Sequence, residues 1–249
     1  MSLMIGVSPC AHGYCDVPLG GGPSGPDLST FKINLVEAWD WQNSYVGDYA
    51  ATPSTQQPGP PPFVDSKNGK GIFCQSTGGT WEVRVNDPSD NVFNPGLKDV
   101  SIALWAKYRV ISGFGNSQYM FKHKGNAGAS PGIGIYYRAD AERMNFEFAN
   151  GTTRLTLSQA NGNPMDTTNG NFIVMTIDRD GLMEGFVDKV SIGTLDVSSF
   201  ELDDIIPTER LAWGNGNHEM DNCFFWDRLL TPSEIDELAD SNVAFSDLP

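Results

Sequence analysis

Apolar and polar positions alternate along most of this chain. Residues 171–193 show it best. Ile173, Met175 and Ile177 are apolar at every second position, and Leu182, Phe186 and Val190 resume the pattern, with Glu184 interrupting. Between the two runs, Asp178-Arg179-Asp180-Gly181 has the residue types of a tight turn. The pattern predicts an antiparallel hairpin with one face toward a core. A second turn at Asp188-Lys189 leads into a further short strand from Val190 to Ile192. Residues 99–108 alternate as cleanly: Val100, Ile102, Leu104 and Ala106 share one face, and Ser101, Ala103, Trp105 and Lys107 share the other. Further strands are predicted at 35–41, 71–75, 80–85, 119–123, 132–138, 144–148, 154–157 and 220–226. In the first of these, Leu35, Trp39 and Trp41 fall on a face that also carries Glu37. Short strands at this spacing build a sandwich or a barrel.

Three segments break the pattern. Residues 1–30, with the run Gly20-Gly21-Gly22-Pro23-Ser24-Gly25-Pro26, fit neither helix nor central strand and read as an extended N-terminal arm. Its apolar start (Leu3, Met4, Ile5, Val7) is too short for a core and suits contact with the main domain or a neighbouring chain. Residues 42–70, with a proline cluster from Pro58 to Pro62, read as a long loop. Near the end, Thr231-Pro232-Ser233-Glu234 is a helix start: Thr231 caps, Pro232 suits the first turn, and Glu234 stands three residues after the cap. The helix runs to about Asp240 and turns Ile235, Leu238 and Ala239 toward the strands. The domain thus spans 31–249.

Composition narrows the function. Net charge is −15, from 31 acidic against 16 basic residues, which argues against nucleic acid and anionic membranes as partners. The start has no basic n-region or long apolar stretch, so no signal peptide and no membrane insertion are expected. Cys10 and Cys15 enclose His12, and read as a small disulfide loop, two free thiols or part of a metal site. Cys74 and Cys223 fall in predicted strands and read as small buried hydrophobes. His12, His123 and His218 have no serine-nucleophile motif beside them, and His123, between Lys122 and Lys124, reads as a solvated strand end. There is no phosphate-binding loop and no dinucleotide fingerprint.

Sugar binding calls for an aromatic ring beside amides and carboxylates. Trp213 followed by Asn215, Asn217, His218 and Glu219 is such a mixture; the alternative is a polar turn beside a core tryptophan. Trp105, Tyr136 and Tyr137 are second candidates, since one of two adjacent tyrosines in a strand must point away from the core.

The ordered elements resemble the laminin-G-like domains of the concanavalin A-like lectin and glucanase superfamily. Four blocks carry the resemblance: residues 35–41; Gly69 to Cys74 followed by Trp81-Glu82-Val83; residues 99–107 with Trp105 and Lys107; and the closing run from Phe186-Val187-Asp188 through Leu211-Ala212-Trp213-Gly214 to residues 221–235. Lys189 stands where the family prefers Gly, and Asn222 where it has an acidic residue. The resemblance implies an all-β, antiparallel jelly-roll β-sandwich with a short C-terminal helix. It also implies calcium at the rim, for which Asp221, Asn222 and loop carbonyls would supply oxygens. The superfamily's glucanases carry Glu-x-Asp-x-x-Glu on one strand, and that motif is absent. Two function classes follow. One is a non-enzymatic structural or adhesion module of a larger particle, a bacteriophage virion surface protein above all, anchored to other chains through residues 1–30 and facing host glycans. The other is a secreted carbohydrate-binding protein or glycan hydrolase.

Overall fold

A computed structural model of the protein describes residues 31–39, 41, 54–57, 62–67, 69–74, 82–85, 93–109, 117–125, 128–160, 165–207, 209 and 211–240. The arm at 1–30, with His12, Cys10 and Cys15, lies outside the described residues. In chain order the strands are β1 (Leu35–Trp39), β2 (Ser54–Gln57), β3 (Phe63–Ser66), β4 (Gly69–Cys74), β5 (Glu82–Val85), β6 (Val100–Tyr108), β7 (Ser117–Lys124), β8 (Gly132–Arg138), β9 (Arg143–Ala149), β10 (Arg154–Ser158), β11 (Asn171–Ile177), β12 (Leu182–Val187), β13 (Val190–Asp196), β14 (Ala212–Asn215) and β15 (His218–Trp226), followed by helix α1 (Pro232–Asp240).

The strands form two antiparallel sheets. One runs β13-β12-β11-β6-β15-β4-β3, with β1 added beside the second half of β15, and the other runs β10-β9-β8-β7-β14-β5-β2. The inner faces meet as a sandwich. Ile102, Leu104 and Ala106 of β6 and Ile173, Met175 and Ile177 of β11 share its core with Ile133 and Ile135 of β8 and Phe146 and Phe148 of β9. Trp213 is the centre of an aromatic group at one end, 5.4 Å from Trp39 and 4.9 Å from Phe121 between ring centroids. A second cluster lies on the outer face of the first sheet, where Ile235 and Leu238 of α1 cover Ala103, Phe172, Val174, Phe224 and Trp226. The helix start is a capping box: Glu234 N donates to Thr231 Oγ1 (3.2 Å) and Thr231 N donates to Glu234 Oε2 (2.8 Å).

Several sequence expectations are corrected. The core face of β12 is Met183, Gly185 and Val187, because pairing with β11 sets Met183 opposite Ile177 and Val187 opposite Ile173. Phe186 belongs to the outer cluster, and Leu182 and Val190 are 49% and 67% exposed. In β1 the pairing shifts between Leu35 and Glu37, so Leu35 joins the outer cluster while Trp39 enters the core. Residues 42–70 hold β2, β3 and the start of β4 and are not one loop. Lys122, His123 and Lys124 are buried, not a solvated strand end. The turn after β12 places Asp188 and Lys189 at φ 49° and 70°, a left-handed pair that explains a preference for glycine there.

Candidate functional site

The residues singled out around Trp213 do not form a solvent-facing loop. Strand β14 ends at Asn215 and β15 begins at His218, leaving a two-residue turn. Trp213, Asn217 and His218 are fully buried. Gln118 of β7 fastens the turn: its Oε1 accepts from Asn217 N (2.9 Å) and its carbonyl lies 3.3 Å from His218 Nε2. A carbonyl only accepts, so Nε2 carries a proton in this contact. Burial pushes the His218 pKa down to about 4. The Gln118 side chain thus meets the Asn217 backbone, and the His218 ring meets the Gln118 backbone, inside the fold. Asn215 pairs through its backbone with Tyr119. Asp221 and Asn222, the expected calcium ligands, lie where the pairing of β15 with β6 shifts, within a central strand. Both are buried, and Asn222 N donates to Asp221 Oδ1 at 2.8 Å. That is far from an open rim. Among the described residues no three His, Cys, Asp or Glu side chains cluster to hold a metal.

Tyr136 points away from the core, as adjacent tyrosines require, yet it too is buried. It belongs to a network centred on Glu147 on the outer face of the second sheet. Glu147 accepts from Lys124 Nζ (3.0 Å), Tyr119 Oη (3.1 Å) and Tyr136 Oη (3.3 Å), and pairs with Arg154 at 3.1 Å. Burial, and next the Glu147 carboxylate, push the Tyr136 phenol up to about 12. Glu82, also buried on this face, is paired with Arg84. Between β9 and β5 lie β8, β7 and β14, so Glu147 and Glu82 stand about 19 Å apart at four strand spacings. A glycosidase pair needs about 5–9.5 Å.

Open surface with binding chemistry lies on the outer face of the first sheet, beyond the part covered by α1. There a groove of about 410 Å³ is lined by Asp65, Ser66, Lys67, Trp105, Lys107, Thr168, Asn169 and Glu219. Four segments build it. The β3–β4 hairpin supplies 65–67, β6 supplies Trp105 and Lys107, and β15 supplies Glu219 opposite Lys107. The turn before β11 supplies Thr168 and Asn169. Asp166 shapes this turn by accepting from Thr168 N (2.6 Å) and Asn169 N (2.9 Å). These amide bonds, Asn169 first, hold its carboxyl below the usual carboxylate range. Gly170 (φ 76°) closes the turn against the indole; a Cβ there would lie 2.4 Å from Trp105 Cζ2.

The charges of the groove are matched. Lys107 Nζ is 3.4 Å from Glu219 Oε2, and Arg109 pairs with the other oxygen while lying over the Phe73 ring at 4.8 Å. Asp65 pairs with Lys70, which holds its carboxyl low. A carboxyl held low is ill suited to donate a proton. Trp105 is 3% exposed, so its indole offers the groove no open stacking face. Its Nε1 and Ser66 Oγ are buried with no hydrogen-bond partner among the described residues. A buried donor left so costs about 1–3 kcal/mol. Trp39 and Trp213 have the same defect inside the core, but Trp105 and Ser66 border open space. A second cleft of about 410 Å³, walled by Met144, Met165 and Ile192, opens beside Asn171, Asp188 and Ser191. These polar groups are partnered: Asn171 Nδ2 donates to Asp188 Oδ2 and Ser191 Oγ to Glu184 Oε1, each at 2.5 Å.

Of the groove residues, sequence reasoning singled out Trp105, placed Lys107 on its face of β6, and named Glu219 only as part of the Trp213 segment. That shared outward register was the available signal; Asp65, Ser66, Lys67, Thr168, Asn169 and Glu219 come from segments that nothing local connects.

No family model matches the sequence, and no curated protein matches it. Solved structures do share the fold. The binding domain of Paraclostridial Mosquitocidal Protein 1 is similar at a TM-score of 0.68 and 16% identity, over 84% of this chain and 52% of that one. A structure of botulinum neurotoxin type C is similar at 0.69 and 13% identity, over 87% and 53%. The binding domain of botulinum neurotoxin DC, in complex with rat synaptotagmin II, is similar at 0.68 and 13% identity, over 84% and 52%. The chain spans about half the length of these neighbours. At such identities the likeness is one of fold: this chain is an antiparallel β-sandwich of the architecture found in these toxin binding domains.

Proposed function

We propose that the chain is a non-enzymatic adhesion module, a laminin-G-like jelly roll spanning 31–249 that is carried on a larger particle and binds glycans. The observation that carries this reading is the open, charge-matched polar groove beside Trp105, since hydroxyl-rich ligands are recognised by such donor and acceptor mixtures. The neighbours lend support. Botulinum neurotoxin type C is described as entering cells in dependence on two ganglioside molecules, and neurotoxin DC binding domains are described in complex with synaptotagmin II and with SialylT. Against a hydrolase stand the wide separation of Glu82 and Glu147 and the cation-bound state of Asp65 and Glu219. The setting proposed is a virion surface, as in a bacteriophage decoration or fibre protein, with residues 1–30 as the attachment segment. A secreted lectin would use the same groove without the attachment.

Light scattering on the full chain and on a version lacking 1–30, beside a glycan-binding screen of the full chain, tests the proposal. Assembly that disappears with 1–30, together with glycan capture, is the expected result. Capture by a chain that is monomeric in both forms would replace the particle setting with the secreted one. Steady release of reducing sugar from a captured glycan would overturn the non-enzymatic reading.

A further inference from the structure

We infer that the end of the sandwich where β6 begins is a protein-docking surface, and that its partner presents apolar side chains flanked by lysine or arginine. The inference goes beyond the adhesion reading and does not depend on it. Val100 at this end and Lys107 in the groove are seven residues apart on one strand, about 24 Å. Exposed apolar residues carry the inference. Among the described residues the large hydrophobic side chains left in solvent are Ile33, Leu97, Leu182, Val190, Leu202 and Ile206. All but Val190 lie at this end. Strand pairing gathers there the start of β6, the ends of β11 and β15, and the starts of β1 and β12. Gly96 and Ile205 exchange backbone hydrogen bonds (3.2 and 3.3 Å), which joins the segment of Leu97 to that of Ile206. The Ile205 side chain is buried, so those of Ile206 and, across the bridge, Leu97 take the outer side. Leu97 is 61% and Ile206 55% exposed, and Leu202, four residues before Ile206, is 88% exposed. Lys98 pairs with Asp227 (3.2 Å), whose N–H donates to the Asn34 carbonyl (3.0 Å), and this brings Ile33 alongside. Single exposed hydrophobics are ordinary on a surface, but a gathering at one end marks an interaction site.

Charge selects the partner. The turn Asp178-Arg179-Asp180 is fastened to the same loop: Arg179 Nη2 donates to the carbonyls of Phe200 and Asp203 (2.5 and 2.6 Å), and Arg179 N donates to Asp99 Oδ1 (2.9 Å). Arg179 is buried, so its charge lies inside, near Asp99, Asp203 and Asp204. Asp180, Glu201 and Asp204 are exposed. Asp178 shares a hydrogen bond with Asp180, and this bond, with burial and the charges of Asp180 and Asp99, raises the Asp178 carboxyl above the usual range. An incoming lysine or arginine offsets such crowding of carboxylates. A second copy presenting this same end, or an anionic bilayer, adds to it. The chain's own arm is no better matched, since residues 1–30 hold Asp16 and Asp27 and no lysine or arginine. Among the described residues no three of these carboxylates converge on a metal site, which leaves side-chain cations as the complement.

The test selects a random peptide library on the full-length chain, with counter-selection on the triple variant Leu97→Ser, Leu202→Ser, Ile206→Ser. Val190→Ser, at the one exposed hydrophobic elsewhere, is the control. We expect the recovered peptides to combine Leu, Ile, Phe or Trp with Lys or Arg. They should bind the wild type and Val190→Ser alike, and the triple variant about tenfold more weakly or worse. Asp180→Asn with Asp204→Asn should weaken binding at low salt and not at high salt. Backbone amide resonances of Leu97, Leu202 and Ile206 in the wild type should shift as a recovered peptide is added, which keeps the test decisive if a variant folds poorly. Recovery of no peptide that distinguishes the wild type from the triple variant overturns the inference, and so does recovery of peptides that are uncharged or acidic. A wild-type dimer that the triple variant abolishes would assign this end to a second copy. Sedimentation with phosphatidylcholine vesicles, lost in the triple variant, would assign it to a bilayer; either result overturns the inference. Glycan capture should be the same for the wild type and the triple variant, so the adhesion reading and this one fail separately.

Discussion

Lowering the pH should destabilise this protein through His218. His218 is fully buried at the start of β15, with Nε2 3.3 Å from the Gln118 carbonyl and the Tyr108 ring 5.8 Å away between centroids. Burial depresses its pKa from 6.5 to about 4. The unfolded chain therefore takes up a proton on His218 between those values and the folded chain does not. The resulting stability is fully present above pH 6.5, falls as pH drops toward 4, and is flat below. At about 1.4 kcal/mol per pH unit the full span is about 3 kcal/mol, of which about 2 is lost by pH 5. That is a sizeable share of a typical stability of roughly 5–15 kcal/mol. Urea unfolding at pH 8, 6.5, 5 and 4, on the wild type and on His218→Gln, reads the effect. The glutamine variant should be less stable at pH 8 but should lose about 2 kcal/mol less than wild type between pH 8 and 5. Parallel pH dependences for the two proteins, or a His218 ring that titrates near 6.5 in the folded state, would refute the reasoning.

Three further outcomes are expected. Glu147→Gln leaves Lys124, a buried cation, without its carboxylate and should cost about 3–5 kcal/mol in chemical denaturation, whereas Asp65→Asn, at an exposed pair, should cost under about 1. Gly214→Ala forces a side chain at φ 70° with its Cβ 2.1 Å from Cys74 Sγ; a loss of about 3 kcal/mol or failure to fold should follow, visible in thermal melts. Thr231→Ala removes the cap of α1 and should cost about 1 kcal/mol, detectable as a lower melting temperature with the glycan affinity of the groove unchanged.

The parts of the fold that were legible in the sequence are those where burial follows alternation. Strand β6 showed both faces correctly and β11 its core face, because each apolar position of that face reaches the core, while Ser101, Trp105 and Lys107 set apart the other face of β6. The helix start was legible because its bonds are local, between Thr231 and Glu234. β12 was not, since its core position Gly185 has no side chain to signal burial, while Leu182 and Val190 are apolar and exposed. The Trp213 segment misled for the opposite reason. His218 and Glu219 are polar yet buried because partners about a hundred residues away, the Gln118 carbonyl and the cations of β6 and its end, meet their side chains inside. No local pattern reports such partners. The groove was hidden likewise, being a meeting of two turns and two strands.

Glu147 also guards the fidelity of strand pairing. Glu147 sits between Phe146 and Phe148 on β9, so its carboxylate and their rings take opposite faces. Its contacts reach β7 through Lys124 and Tyr119, β8 through Tyr136, and β10 at Arg154. Were β9 to slide by one residue, the carboxylate would turn into an apolar core and two phenylalanines would turn out, while three neighbouring strands lost a shared acceptor. The buried charge thus acts as an alignment key. It adds little to the depth of the native energy well, but it raises the energy of the nearest mispaired states, in a sheet whose long-range pairings are slow to find.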